Sequence, residues 1–135
     1  MLFRSVHPRT RTRFKEFGIA LRPNVKPMEP LPYIETLAMV SGSKLVITDS
    51  GGLQKEAFWL GKPSLITRDT TEWGEIVRAG AAILVGTDPK RIKQGYAWSQ
   101  KMGPAGFVSA RRIFGSGNAS ARVVGAIEGY LRKPG

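Results

Sequence analysis

Residues 45–60 read LVITDSGGLQKEAFWL, and the fold turns on this stretch. Leu45-Val46-Ile47 is a short apolar run rich in β-branched side chains, which favours a strand, and Thr48-Asp49-Ser50 ends it. Gly51 and Gly52 come next, and a helical pattern then takes over to Leu60. Strand, tight glycine turn and helix together aim backbone N–H groups and a positive helix end at an anion. Glycine suits the turn because no Cβ blocks a sharp bend or an approaching phosphate. Ser50 can cap the helix and also donate its hydroxyl to a phosphate. Glu56 lies about one helical turn further on, where a carboxylate can accept from ribose hydroxyls. By itself SGG also describes an ordinary capped helix after a buried strand, so the surrounding chain decides.

Working outward, the alternation repeats in both directions. Upstream, residues 2–6 form a strand candidate broken by His7-Pro8, since a residue before proline resists the α region. A short basic helix is expected over 10–17 with Gly18 as its cap, and a weak strand over 24–28 between prolines. Residues 31–40 carry apolar side chains at helical spacing, with Pro32 in the first turn. The continuous apolar character of 44–48 predicts a strand buried on both faces. Downstream, the helix over 53–60 stops at Gly61 and Pro63, and 64–67 is a second short buried strand. A polar loop RDTTE (68–72), a helix over 73–78 closed by Gly80, and a strand over 81–85 ending in Gly86-Thr87-Asp88 follow. Residues 89–94 read as a helix start, 95–106 shows no strong period, and 119–131 is a final helix with Val123, Val124, Ile127 and Leu131 on one stripe.

Strands alternating with helices through short connections predict an α/β fold: a parallel, Rossmann-like sheet covered on both faces and wound right-handedly. Ligands of such sheets sit outside the carboxyl ends of the strands. The TDSGG turn, the RDTTE loop and the GTD turn all fall on that edge, and their convergence follows from the connectivity alone.

Bulk properties narrow the class. A chain of 135 residues, 41% hydrophobic and 23% charged, reads as one domain (1–135) of a soluble globular protein with a real core. No apolar run approaches the ~20 residues of a membrane span, and MLFRSVHPRTRTRF has no signal-peptide core, so a cytoplasmic location is expected. With no cysteine and one histidine, disulfides and a Cys- or His-based metal site are not expected. The excess of 21 Lys+Arg over 10 Asp+Glu, a formal +11, invites a nucleic-acid reading. The basic residues are spread, however, with a local stripe only at Arg9, Arg11, Arg13 and Lys15, and no nucleic-acid motif accompanies them. Phosphorylated small molecules or an acidic partner domain account for the excess equally well.

TDSGGLQKEA (48–57), LGKP (60–63), RDTTEW (68–73) and the strand ending VGTD (85–88) resemble the non-hydrolysing UDP-N-acetylglucosamine 2-epimerases. HPRTR (7–11), EPLPYIETLAMV (29–40) and FGSGNAS (114–120) match that family in order and spacing, so the resemblance covers about residues 6–131 apart from 95–110. It implies one half of a glycosyltransferase type B arrangement, two Rossmann-like domains with the active site in the cleft. It implies interconversion of UDP-GlcNAc and UDP-ManNAc with no redox cofactor. The proton at sugar C2 is removed, UDP is expelled to leave a glycal, and UDP re-adds with the other configuration at C2. On this resemblance the chain is the carboxyl-terminal, nucleotide-holding half, truncated on its amino-terminal side. Ser50, Gly51 and Gly52 match the diphosphate-binding turn, and Glu56 the ribose-binding carboxylate. Leu31 and Thr36 fall on the uracil side; position 36 is usually aromatic, and a backbone contact survives that change whereas stacking does not.

The departures are as informative. The family's proton-transferring carboxylates lie in the amino-terminal domain, so no catalytic residue is expected in this chain. Lys55 stands where an acidic residue is common and is expected to face solvent. Trp73, a candidate for further substrate contact, replaces an arginine of some members; Gly74 replaces a proline and Ser116 an aspartate. His7 matches a segment that borders a second, regulatory UDP-GlcNAc in some bacterial members, and as a lone histidine it also reads as a strand-end residue. Asp69 and Glu72 are expected to cap the loop and next helix with Thr70 and Thr71, rather than to act as an acid/base pair, which would need environments that split their pKa values. Trp59, Trp73 and Trp98 are expected to pack, and Asp49 to hold the turn through backbone N–H groups. Two functions from different classes follow: an epimerase domain working with an amino-terminal half supplied in cis or trans, or a catalytically silent nucleotide-sugar binding or regulatory module. A glycosyltransferase half is a third, since that fold shares the helix end. The family generally forms homodimers, but the missing half contributes to those contacts.

Overall fold

The computed structural model describes residues 2–6, 8–103, 107 and 111–132. The chain forms two compact units, Met1–Met39 and Val40–Gly135.

In the first unit, β1 (Leu2–Ser5), α1 (Pro8–Glu16) and β2 (Val25–Met28) make a parallel β-α-β unit with Leu2 opposite Val25 and Ser5 opposite Met28. Pro8 opens α1, where its missing N–H costs nothing. Gly18, at φ +60°, lets the chain leave the helix in the left-handed region. Val6 is the buried anchor of this unit, and its N–H donates to the Met28 carbonyl at 2.8 Å. The unit boundary falls within α2 (Tyr33–Gly42).

The second unit holds β3 (Val46–Thr48), α3 (Gly51–Trp59), β4 (Ser64–Ile66), α4 (Gly74–Arg78), β5 (Ala82–Leu84), α5 (Pro89–Ser99), a 3-10 turn (Arg111–Phe114) and α6 (Ala119–Leu131). Its strands pair in parallel in the order β3-β4-β5, with Val46 opposite Ser64 and Ser64 opposite Ala82. The expected parallel α/β pattern is therefore present, with the strand pairs in two sets, β1-β2 and β3-β4-β5.

β4 is central and buried at all three positions. β3 corrects the expectation of burial on both faces: Val46 and Thr48 are buried, but Ile47 is 43% exposed. The reason is its place at the edge of the three-strand set, where a continuous apolar run does not guarantee two covered faces. The core gathers Phe58 of α3, Ile66, Ile76, Ala81, Ala82 and Phe107. Burying a phenylalanine such as Phe58 contributes about 1.5–3 kcal/mol. Phe114 stacks edge-on against both Phe58 and Trp73, with centroids 5.5 and 6.2 Å apart, tying the 3-10 turn to the start of α4. α5 lies directly on the sheet at Gly95, where an added Cβ would meet Leu65, Ile83 and Val85 side chains at 2.8–3.1 Å. α6 is amphipathic as expected, yet Val123, Val124, Ile127 and Leu131 are all more than half exposed. Among the described residues, no helix is long and apolar enough to cross a membrane.

Candidate functional site: the amino-terminal end of α3

Three loops leave the carboxyl ends of the parallel strands, and the structure brings them together. β3 runs into the turn before α3, β4 into residues 67–73, and β5 into Val85-Gly86-Thr87-Asp88. Glu72 of the second loop reaches Gly51 of the first, and Asp69 Oδ1 lies 2.9 Å from where a Cβ on Gly86 of the third would stand. Arg91 braces that third loop by donating to the Leu84 carbonyl at 2.7 Å. The expected shared edge is thus present.

Ser50 is the N-cap of α3, with extended backbone at φ −79° and ψ 122°, and its Oγ accepts from the Leu53 N–H at 3.4 Å. Its own N–H donates to Thr48 Oγ1 at 3.0 Å. Thr48, rather than the exposed Asp49, therefore holds the turn; a hydroxyl two residues back reaches the N–H directly. The N–H groups of Gly51 and Gly52 open the helix and have no carbonyl four residues back within it. At Gly52 an added Cβ would find only Ser50 Oγ, 3.9 Å away, so approach is open at Gly52, whereas the Glu72 carboxylate lies against Gly51. Glu56 follows Gly52 by four residues and so shares its face of α3, one turn along. It is half-buried and carries no ion pair among the described residues.

The loop 67–73 is pinned from beneath. Gln54 is fully buried, and its Oε1 accepts from Thr71 Oγ1 at 2.6 Å; Thr71 Oγ1 in turn accepts from the Trp73 N–H at 3.1 Å. Thr71 thus does the work expected of Asp69 and Glu72, and α4 starts at Trp73 with no side-chain cap. The acidic side chains point elsewhere: Glu72 Oε2 accepts from Arg68 Nη1 at 2.9 Å while its carboxylate lies against Gly51. Trp73 packs as expected, but its Nε1 also stands 3.4 Å from the Cβ point of Gly51. That N–H and Gln54 Nε2 are buried donors with no acceptor among the described residues. Lys55 corrects a further expectation. Its Nζ sits 4.4 Å from the centroid of Trp73 instead of facing open solvent, because the ring offers the cation a negative face, worth about 0.5–1 kcal/mol at a partly exposed site.

The predicted residues thus divide. Ser50, Gly51, Gly52 and Trp73 form one constellation, with Glu56 a turn further along the same helix. Leu31 and Thr36 lie in the first unit, where Thr36 Oγ1 donates to the Leu31 and Pro32 carbonyls at 3.3 and 3.0 Å. His7 lies outside the described residues. Gln54, Arg68 and Lys55 were missed as neighbours of the turn. Arg68 and Glu72 at four-residue spacing were the available hint, since such a pair can bridge. Among the described residues, no group of three or more His, Cys, Asp or Glu side chains is placed to hold a metal ion.

Parallel strands, crossover helices and a capped helix end at the carboxyl edge define a Rossmann-like α/β protein. The sequence profile of the UDP-N-acetylglucosamine 2-epimerase family, a family of isomerases, matches residues 1–128, and the chain belongs to that family. It is 40% identical over 118 residues to the UDP-2,3-diacetamido-2,3-dideoxy-D-glucuronate 2-epimerase of Pseudomonas aeruginosa, covering 87% of this chain and 32% of that protein. With the UDP-N-acetylglucosamine 2-epimerase of Methanocaldococcus jannaschii it shares 44% identity over 92 residues, 65% of this chain and 25% of that protein. The crystal structure of the M. jannaschii enzyme in complex with UDP-GlcNAc and UDP is similar at a TM-score of 0.76 and 34% identity, over 93% of this chain and 35% of that one. The chain spans about a third of the length of the curated relatives it matches.

Proposed function

We propose that this chain is the UDP-holding half of a UDP-N-acetylglucosamine 2-epimerase, the carboxyl-terminal domain of a two-domain glycosyltransferase type B arrangement, and that it is inactive alone. One observation carries the reading: an N-capped helix end, open at Gly52, at the meeting point of three loops, in a chain related to epimerases of UDP-sugars. The two relatives act on different sugars by their names, and UDP is what those substrates share. The turn is suited to that shared part. Its first N–H groups and the helix dipole favour a diphosphate over Ser50, Gly51 and Gly52. Glu56 sits one turn along to accept from the ribose hydroxyls.

In the elimination step, the proton leaves sugar C2, the C1–O bond breaks toward the β-phosphate, and UDP departs with one more negative charge. Donors fixed where that charge develops lower its cost without reorganising. This chain's residues therefore hold and stabilise the leaving group; the proton transfer falls to carboxylates outside it. The exposed apolar stripe of α6 supports a partner domain. UDP is expected to raise the melting temperature of the chain in a thermal-shift titration. The double variant Ser50→Ala, Glu56→Ala is expected to lose that rise. No response to millimolar UDP, or a normal response from the double variant, would overturn the assignment.

A further inference from the structure

We infer that Glu72 is a built-in competitor for the anion position at the start of α3, so that nucleotide binding requires its carboxylate to swing away. This rests on the assignment of the turn as a diphosphate site and adds its regulation. An added Cβ at Gly51 would fall 2.9 Å from Glu72 Cδ and closer still to its Oε1, so the carboxylate lies against the Gly51 backbone. A phosphate drawn to the Gly51 and Gly52 N–H groups would come up beside the same residue and meet that carboxylate. Carboxylate and phosphate are both anions drawn by the same helix end, and they exclude each other from it.

The rest of the loop is arranged to hold this state and to release it. Arg68 grips the other oxygen of the carboxylate at 2.9 Å, from a side chain 41% exposed to solvent. Both partners of the pair are therefore at the surface and can move together, whereas the loop beneath them is fixed by Thr71 on buried Gln54. Trp73 Nε1, a buried donor with no acceptor, stands 3.4 Å from the same Gly51 point. An oxygen-rich ligand replacing the carboxylate would give this N–H an acceptor. The Lys55 ammonium over the indole ring adds a positive charge that favours the same exchange. The device thus sets the affinity of the turn: the apparent dissociation constant is the intrinsic one divided by the fraction of molecules with Glu72 withdrawn.

Binding of UDP, inorganic pyrophosphate and uridine to the full 135-residue chain and to its Glu72→Gln and Glu72→Ala variants tests this. Both variants are expected to bind UDP and pyrophosphate about tenfold more tightly, as removal of an occupant filling the position nine-tenths of the time would give. Uridine, which has no diphosphate, is expected to bind all three alike; a general loosening of the loop would change it too. If neither variant gains affinity while Ser50→Ala still weakens UDP, the competitor is overturned and the diphosphate site stands. If neither the parent chain nor the variants respond to UDP at all, the site assignment falls and the competitor with it.

Discussion

At Gly51 the demands of folding and of binding separate. Its backbone is helical and its φ is not positive, so a side chain is tolerated conformationally. What a Cβ would meet is the tip of a flexible, half-exposed Glu72 and, at 3.4 Å, Trp73 Nε1. Alanine is also favoured over glycine within a helix by about 1 kcal/mol or less. Gly51→Ala is therefore expected to fold and to melt within a few degrees of the parent. It is nevertheless expected to lose UDP binding, because the new methyl stands where the phosphate approaches. Melting and UDP titration of the same variant check both halves; parental affinity for UDP would remove the steric argument. Much of this cluster was legible in sequence. A strand, a capping serine and two glycines are local signals, and each reports on its own backbone. What was not legible is that Glu72 and Trp73, some twenty residues away, come back onto Gly51. Thr71 and buried Gln54 set that return, and a hydrogen bond across the loop has no periodicity to betray it.

At the scale of elements, helices α5 and α6 show what apolar periodicity reports. The strands and most helices are bounded by glycine and proline and read correctly from those stops. α5 was foreseen only at its start, where Asp88 caps the Lys90 N–H at 2.8 Å and Pro89 follows. Its continuation to Ser99 was hidden because its buried positions are Gly95 and Ser99, which register as nothing in an apolar count. Gly95 has a packing reason: a Cβ would press on Leu65, Ile83 and Val85 at 2.8–3.1 Å, branched side chains on a sheet with little room to yield. Gly95→Ala is thus expected to destabilise the fold by about 1–3 kcal/mol despite the better helix propensity. Gly125 and Gly129 of α6 have nothing within 4 Å of such a Cβ. Alanine at both is expected to add helix, by about 0.5–1 kcal/mol each. Urea unfolding of the first variant and far-UV circular dichroism of the second measure the contrast. A Gly95→Ala chain as stable as the parent would show that α5 can lift off the sheet at no cost. α6 itself marks the other limit: its period identified the apolar face, but a period does not say what covers that face.

At the scale of the whole molecule, the chain spans about a third of its curated relatives, and the proposed function divides the chemistry accordingly. The two carboxylates of the loop after β4 are already engaged. Glu72 is paired with Arg68, and Asp69 lies against the Gly86 turn, so neither stands free beside a second acid. Exchange of a C2 proton needs a base on one face of the sugar and an acid on the other, each held within hydrogen-bond reach. The second unit instead offers fixed donors at a helix end, suited to a leaving group that gains charge. Under the proposed function, binding energy spent on UDP at that end serves catalysis only when a second surface presents those acids. The chain alone is therefore expected to bind UDP and not to epimerise UDP-GlcNAc in a coupled assay. Adding the amino-terminal portion of a homologous epimerase in trans is expected to restore measurable turnover, and blocking α6 by Val124→Asp with Ile127→Asp is expected to reduce that rescue without changing UDP affinity. Turnover by the chain on its own would place a proton-transferring pair within these 135 residues and would refute the division of labour. Binding without rescue by any amino-terminal portion would instead favour a catalytically silent nucleotide-sugar module built on the same helix end.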